Sequence, residues 1–403
     1  MSQVTTDIKQ LKKVIVHEPD DGIEVITPTN ALKFLYDDIV YLPKMREEHQ
    51  LFTKVLKYFV GKDNVLDTYK MLIEVLNKNP ENSKEKLLKY VFNHENCSEA
   101  TEQALKKLPN ESLAYTLFTG LLLETDELVL SPLPNYVFTR DIGVVINDYV
   151  LICNASKKAR TRESILTRYI IYYHPAFAAF QEDKIIDMTT MGDDATIEGG
   201  DVMMLDKDNL IVGCSERTSP EAIEKLRKLL FSKNIVKNLI RVVIPKDRAC
   251  MHIDTLFTQI SETEYVIFEN TLVSDLIKVT EFHEDGNQTE HSTLKDYFLS
   301  YRSDMKFILC GNGEEHYDER EQWTDGCNLV AVKDGVAIAY DRNEKTAEAL
   351  KNVGYTIVDA ETFLEKGLDP LEVEKTIITI SSTELSRARG GPHCMTFPIQ
   401  RLS

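Results

Sequence analysis

No part of this 403-residue chain approaches the roughly 20 consecutive apolar residues that a membrane span needs. The opening run Met1-Ser2-Gln3-Val4-Thr5-Thr6-Asp7 has neither the basic nor the apolar region of a secretory leader, so cytoplasm is the expected location. Positive charge is in deficit: 47 Lys and Arg stand against 65 Asp and Glu, a net −18. That balance argues against nucleic acid and anionic membrane as partners. It would modestly attract a cationic ligand, and it serves equally well as a solvated surface. Paired cysteine spacing is also missing. The chain holds seven cysteines, an odd number, and no C-x-x-C motif, which fits a reducing compartment. Cys153, Cys214 and Cys310 lie in apolar, strand-like runs and read as core thiols. With no H-E-x-x-H motif either, a built-in zinc site has little support, and neither metal nor cofactor is expected.

What the chain does have is a weak long-period repeat. Two short apolar runs flank a polar turn at Gly143–Cys153, at Val202–Cys214, at Leu256–Phe268 and at Asn328–Tyr340, each reading as a strand pair. Helix-period segments follow three of them, at Arg162–Tyr173, Pro220–Ser232 and Glu344–Val353, with Ser219 and Asn343 as candidate caps. A further strand closes some units, at Val242–Ile244 and Thr356–Val358. A ring of ββαβ units accounts for this order. A fifth unit can be assembled from both ends of the chain, Lys12–His17 beside Met395–Arg401, which removes exposed sheet edges. From about residue 45 to 123 the pattern turns helical throughout, and that stretch reads as a helical bundle inserted in one α/β domain spanning 1–403.

Polar clusters stand just ahead of the first strand of each unit: Asp141, Glu198-Gly199-Gly200-Asp201, His252-Ile253-Asp254, Asp325-Gly326 and His393-Cys394. A radial arrangement would bring them onto one axis. Carboxylates raise the pKa of a nearby thiol, and a ligand carrying its own positive charge would reverse that penalty. Guanidinium fits best, being planar, permanently charged and able to pair bidentately with carboxylates. Each residue also has a plainer reading. Cys394 could close the last strand, His252 could be a satisfied core histidine, and Gly199-Gly200 could simply supply a positive-φ turn. His393 adjoins the thiol, but neighbouring side chains on an extended segment point apart, so no role is assigned to it.

Phe138-Thr139-Arg140-Asp141, Glu198-Gly199-Gly200-Asp201, His252-Ile253-Asp254-Thr255 and the terminal Gly390-Gly391-Pro392-His393-Cys394-Met395 resemble the motifs of the guanidino-group-modifying enzymes, most closely arginine deiminase. The resemblance covers nearly the whole chain, including the helical insertion. It implies a five-fold pseudosymmetric α/β propeller and a cofactor-free hydrolysis of L-arginine to citrulline and ammonia. Cys394 would attack the guanidinium carbon to give a covalent thiouronium, with Asp141 and Asp254 gripping the nitrogens. His252, beside Glu198, would act as acid and then base. Arg160 and Arg217 would hold the substrate carboxylate, Asn135 and Phe138 would contact the substrate, and Arg389 would sit on a loop at the mouth. Pro392 stands where some members have glycine, which would stiffen that loop.

Three other readings stay open at this stage: an amidinotransferase or another hydrolase of the same superfamily, a metallohydrolase using Asp141, Glu198, His252 and Asp254, and an arginine-binding protein without turnover. Arg160 opens a basic stretch that could equally be solvated, and Asp325 could be structural. A homo-oligomer stays open as well, since oligomeric state is not legible in the sequence.

Overall fold

In a computed structural model, residues 3–402 are described; Met1, Ser2 and Ser403 lie outside, the first two belonging to the stretch read above for a leader. Five separate sheets carry the strands. Each is built on the same motif, an antiparallel pair extended on one side by a parallel strand.

The clearest instance pairs Gly143–Ile146 with Tyr149–Ile152 across the turn at Asn147-Asp148, and sets Ile185–Asp187 parallel to the second strand. The next joins Val202–Met204, Asn209–Cys214 and Asn238–Val243 in the same sense. An added hairpin, Lys278–His283 with Gln288–His291, extends that sheet outward. Phe257–Gln259, Glu264–Ile267 and Lys306–Leu309 form another. The last pair along the chain, Val330–Lys333 with Val336–Tyr340, takes Thr376–Ile380 as its parallel neighbour. The remaining sheet uses both chain ends: Phe397–Arg401 runs antiparallel to Leu11–Val16, which lies parallel to Val65–Asp67.

Parallel neighbours require a crossover, and the chain supplies helices for it at Leu42–Val60, Thr161–Tyr173, Pro220–Ser232, Leu294–Tyr301 and Glu344–Asn352. Ser219 caps its helix through Ala222 N. Asn343 makes no cap; its side chain is tied to Thr324 instead.

Two sequence expectations need correction. Thr356–Asp359 does not close its unit but sits at the sheet edge, because Thr376–Ile380 is the more buried strand and takes the inner place. The helical stretch also divides. Leu42–Val60 is the crossover between Leu11–Val16 and Val65–Asp67, and its Met45, Phe52, Val55 and Leu56 are buried against that core. The bundle proper is Thr68–Lys78, Ser83–Glu95, Glu99–Lys107 and Asn110–Thr119. Asp67 caps the first of these helices and Ser98 the third. Leu72, Val75, Leu88, Val91 and Leu117 from the bundle share one core with Leu166 and Ile170 of the Thr161–Tyr173 helix. A three-residue strand hidden in a helical pattern is hard to see in sequence, since Val65-Leu66 satisfies either period. No helix among the described residues is long and apolar enough to cross a membrane.

Candidate active site

The polar motifs fall on short turns at the heads of the inner strands. Gly199–Asp201 and Ile253–Thr255 are single 3-10 turns, followed by Val202–Met204 and Phe257–Gln259. Hydrogen bonds link these turns in a closed circuit. Arg140 N donates to Cys394 O (2.9 Å), Gly199 N to Asp141 O (3.1 Å), and Ile253 N to Asp201 Oδ1 (3.0 Å). Asn328 Nδ2 donates to Asp254 O (2.9 Å), and Cys394 N returns to Asn328 Oδ1 (3.1 Å). Close approach of the turns explains the glycines. A Cβ on Gly199 would stand 2.0 Å from Arg140 O, and one on Gly200 2.7 Å from His252 Nδ1. Neither glycine has a positive φ, so the Gly-Gly pair serves proximity rather than a left-handed turn.

Every site residue expected from sequence arrives at one place. Asn135, Phe138, Asp141, Arg160, Arg217, His252, Arg389 and Cys394 line one small cavity, together with Leu35, Met251, Thr255 and Ala388. Glu198 and Asp254 stand directly behind that wall. Glu198 Oε2 lies 2.9 Å from His252 Nε2, and Asp254 Oδ2 lies 3.4 Å from Cys394 Sγ.

The electrostatics divide into two halves. On one side burial, then Asp254, Asp141 and Asp325, push the Cys394 thiol well above its ordinary value. Asn328 Nδ2 sits 3.2 Å from the sulfur. Burial opposes the charge on Asp254, yet His393, His252 and Arg140 together outweigh it and hold that carboxyl below the usual range. On the other side burial works against a charged His252, but Asp141, Glu198 and Asp201 outweigh it and hold the imidazole at about 10. Burial likewise opposes ionised Glu198, and Arg160, Arg217 and His252 reverse the effect. At neutral pH the site therefore pairs a protonated thiol with an imidazolium.

Arg160 is already engaged. Its Nη1 lies 2.7 Å from Asp141 Oδ2 and 3.1 Å from Glu198 Oε2, its Nε 2.9 Å from Glu163 Oε2, and its Nη2 within 3.5 Å of Asn135 O. Arg217 is freer: Nη1 is 3.6 Å from Glu198 Oε2, and Nε has no hydrogen-bond partner. Asn135 spends its amide nitrogen on Phe34 O at 2.8 Å. The Phe138 ring packs on the terminal loop so tightly that a Cβ on Gly390 would lie 2.3 Å from its Cε1. Arg389 faces the cavity with Nε and Nη1 making no hydrogen bond, Asp37 Oδ2 being 3.8 Å from Nη1. Two carboxylate oxygens are also buried without a partner, Asp141 Oδ1 and Asp254 Oδ1.

Asp141, Glu198 and His252 are close enough together to ligate a metal ion. They do not fit one, because the Arg160 guanidinium bonds both carboxylates and its fixed charge occupies the place a cation would take.

Sequence reasoning missed two contacts. His393 does not point away: its Nδ1 lies 2.9 Å from Asp254 Oδ2, because residues 392–395 form a turn ahead of Phe397 and the chain is not extended there. Asn328, which binds both sides of Cys394, was hidden behind Asp325. A polar residue at the head of the buried strand Val330–Lys333 was the available signal.

Residues 33–401 match the arginine deiminase family. The arginine deiminase of Borrelia garinii subsp. bavariensis is 31% identical over 425 residues, covering 99% of this chain and 97% of that protein. That of Listeria monocytogenes serotype 4b is 31% identical over 427 residues with the same coverage. Among solved structures, a dimethylarginine dimethylaminohydrolase adduct with S-methyl-L-thiocitrulline aligns with a TM-score of 0.52 at 15% identity, over 96% of this chain and 99% of that one. An amidinotransferase from Microseira wollei gives a TM-score of 0.53 at 12% identity, over 100% and 98%. Those two likenesses speak to the mixed α/β fold alone. The full-length relatives and the family match together establish that the chain belongs to the arginine deiminase family.

Proposed function

We propose that this protein hydrolyses free L-arginine to L-citrulline and ammonia. One observation carries the reading: two buried carboxylate oxygens make no hydrogen bond, Asp141 Oδ1 on the cavity wall shared by Cys394 and His252, and Asp254 Oδ1 on the carboxylate directly behind the sulfur. An unpaired buried carboxylate oxygen is costly, and a guanidinium supplies N–H donors to both.

Arrival of that cation offsets the negative field that keeps Cys394 protonated. The S–H proton passes to Asp254 Oδ2, 3.4 Å away, as Sγ bonds to the guanidinium carbon. The imidazolium of His252, held by Glu198, gives a proton to the departing nitrogen, and ammonia leaves a thiouronium on Cys394. Neutral His252 then takes one proton from water as its oxygen bonds to the same carbon; the C–S bond breaks, the remaining hydroxyl proton passes to solvent, citrulline leaves and Asp254 returns its proton to the sulfur. Orientation and acid–base assistance of this kind each contribute several orders of magnitude. Arg217 and Arg389, with unpartnered N–H groups on the same cavity, receive the substrate carboxylate. Arg160 holds Asp141 and Glu198 in register and reaches the ligand only by giving up one of those pairs.

The five sheets, with their shared strand pattern and circuit of linked turns, support a five-fold propeller whose axis passes through this cavity. The helices between 68 and 119 form an insertion within that single domain. The free thiols suit the cytoplasm.

Water and amine acceptors share the first half-reaction. Product identification by mass spectrometry after incubation with arginine, with and without an added primary amine, separates them. Citrulline in both samples is the expected result. Amidine transfer to the amine, or no product at all, would replace this reading.

A further inference from the structure

Arg389 carries its guanidinium carbon 3.4 Å from the centroid of the Trp323 ring, the only tryptophan in the chain. The stacking is lopsided in exposure: the indole is 42% exposed, whereas Arg389 is 8% exposed. Trp323 thus forms the outer lid of a buried cation. The ring is itself firmly placed. It ends the helix Tyr317–Trp323, whose preceding residue Gln322 donates from Nε2 to Ala249 O at 2.8 Å and to Thr255 O at 3.2 Å. Thr255 lines the active-site cavity. Asp325, two residues on, is buried with Oδ2 unpartnered and is the leading carboxylate acting on Arg389. Asp37 Oδ2 stands 3.8 Å from Nη1, beyond hydrogen-bond length. Arg389 is therefore clamped by its face and by Nη2, which donates to Arg248 O at 3.4 Å, while Nε and Nη1 make no hydrogen bond.

We propose that Trp323 is a positioning and specificity residue: its ring holds Arg389 flat so that the free N–H edge meets the carboxylate end of the substrate. A planar cation on an aromatic face keeps all its in-plane donors available, which a salt bridge in the same place would consume. The contact adds selectivity for amino-acid guanidines over guanidines lacking a carboxylate. This inference rests on the arginine-hydrolysing reading.

The test separates the two. Citrulline formation by the parent enzyme checks the reading itself. Steady-state kinetics of Trp323→Leu and Trp323→Phe then check the inference, alongside the inhibition constant of agmatine, which is arginine without its carboxylate. Trp323→Leu is expected to raise KM for arginine on the order of tenfold, the scale of a desolvated cation–π contact. Its kcat and the agmatine constant stay within about twofold, and Trp323→Phe recovers most of the lost affinity because a π face remains. In Cys394→Ala, where no turnover intervenes, arginine is expected to change the Trp323 emission and agmatine to leave it unaltered. Equal losses for arginine and agmatine, no loss in Trp323→Leu, or an emission change common to both ligands would overturn the assignment.

Discussion

At the scale of single residues, the site works by opposing fields on two buried groups that line the same cavity. Cys394 stays protonated because burial and three carboxylates disfavour its anion, and His252 stays protonated because carboxylates favour its cation despite burial. Removing the sulfur tests the first half. Cys394→Ala is expected to lower kcat by at least about four orders of magnitude while calorimetry still detects arginine binding, since the cation is held by carboxylates; loss of binding together with turnover would contradict this division. The second half has a sign that can be checked. A histidine raised from 6.5 to about 10 adds stability that is complete below about pH 6.5 and disappears as pH climbs through about 10. Glu198→Gln removes one carboxylate from Nε2, so both the alkaline loss of stability and the alkaline limb of kcat move to lower pH, by about one unit or more. Urea titrations and pH–rate profiles across pH 6 to about 10.5 would read this, and superimposable profiles for parent and variant would refute it.

At the scale of elements, the turns matter more than the strands they precede. Gly200 touches the His252 ring so closely that a methyl group has no room. Gly200→Ala is expected to displace the imidazole and lower kcat about 100-fold, with far-UV dichroism unchanged. Activity within about threefold of the parent would show the ring to be unconstrained. The terminal loop has its own anchor in Glu48, a buried carboxylate on the Leu42–Val60 helix. It accepts from Thr383 Oγ1, from Glu384 N at 3.0 Å and from Leu385 N at 2.9 Å, holding the turn Leu385–Ala388 that leads to Arg389. Glu48→Ala strands three donors and is expected to cost about 3 kcal/mol in urea unfolding, and to raise KM through the loosened loop. A midpoint shift equivalent to less than about 1 kcal/mol would reassign the anchor. This contact also shows why the helix belongs to the catalytic core rather than to the neighbouring bundle. Its amphipathic pattern is legible in the sequence, but the pattern names a buried face without naming what covers it.

At the scale of the whole molecule, the first and last strands are partners. Phe397–Arg401 seals the sheet begun by Leu11–Val16, with Phe397 and Ile399 fully buried, and Cys394 sits three residues before it. Ending the chain after Thr396 removes those side chains and exposes a central strand edge. Losses of a few kcal/mol for each large core residue rival the 5–15 kcal/mol of a typical domain. The truncated chain is expected to show no cooperative thermal transition and no turnover. A sharp calorimetric peak near that of the parent would show the closure to be dispensable.

The sequence by itself determined the chemistry and the repeat. Side-chain type is local, so Cys394, His252, Glu198, Asp141 and Asp254 advertise acid, base and nucleophile wherever they fold, and strand pairs with short polar turns declare themselves through alternation and burial. Only the tertiary structure decided who touches whom. Asn328 at the sulfur, His393 on Asp254, Arg160 already bound to two carboxylates and the indole of Trp323 beneath Arg389 all depend on contacts between turns distant in the chain. Hydrophobic periodicity fixes which face of an element is buried. It carries no information about which polar neighbour, tens or hundreds of residues away, packing will bring within 3 Å or so.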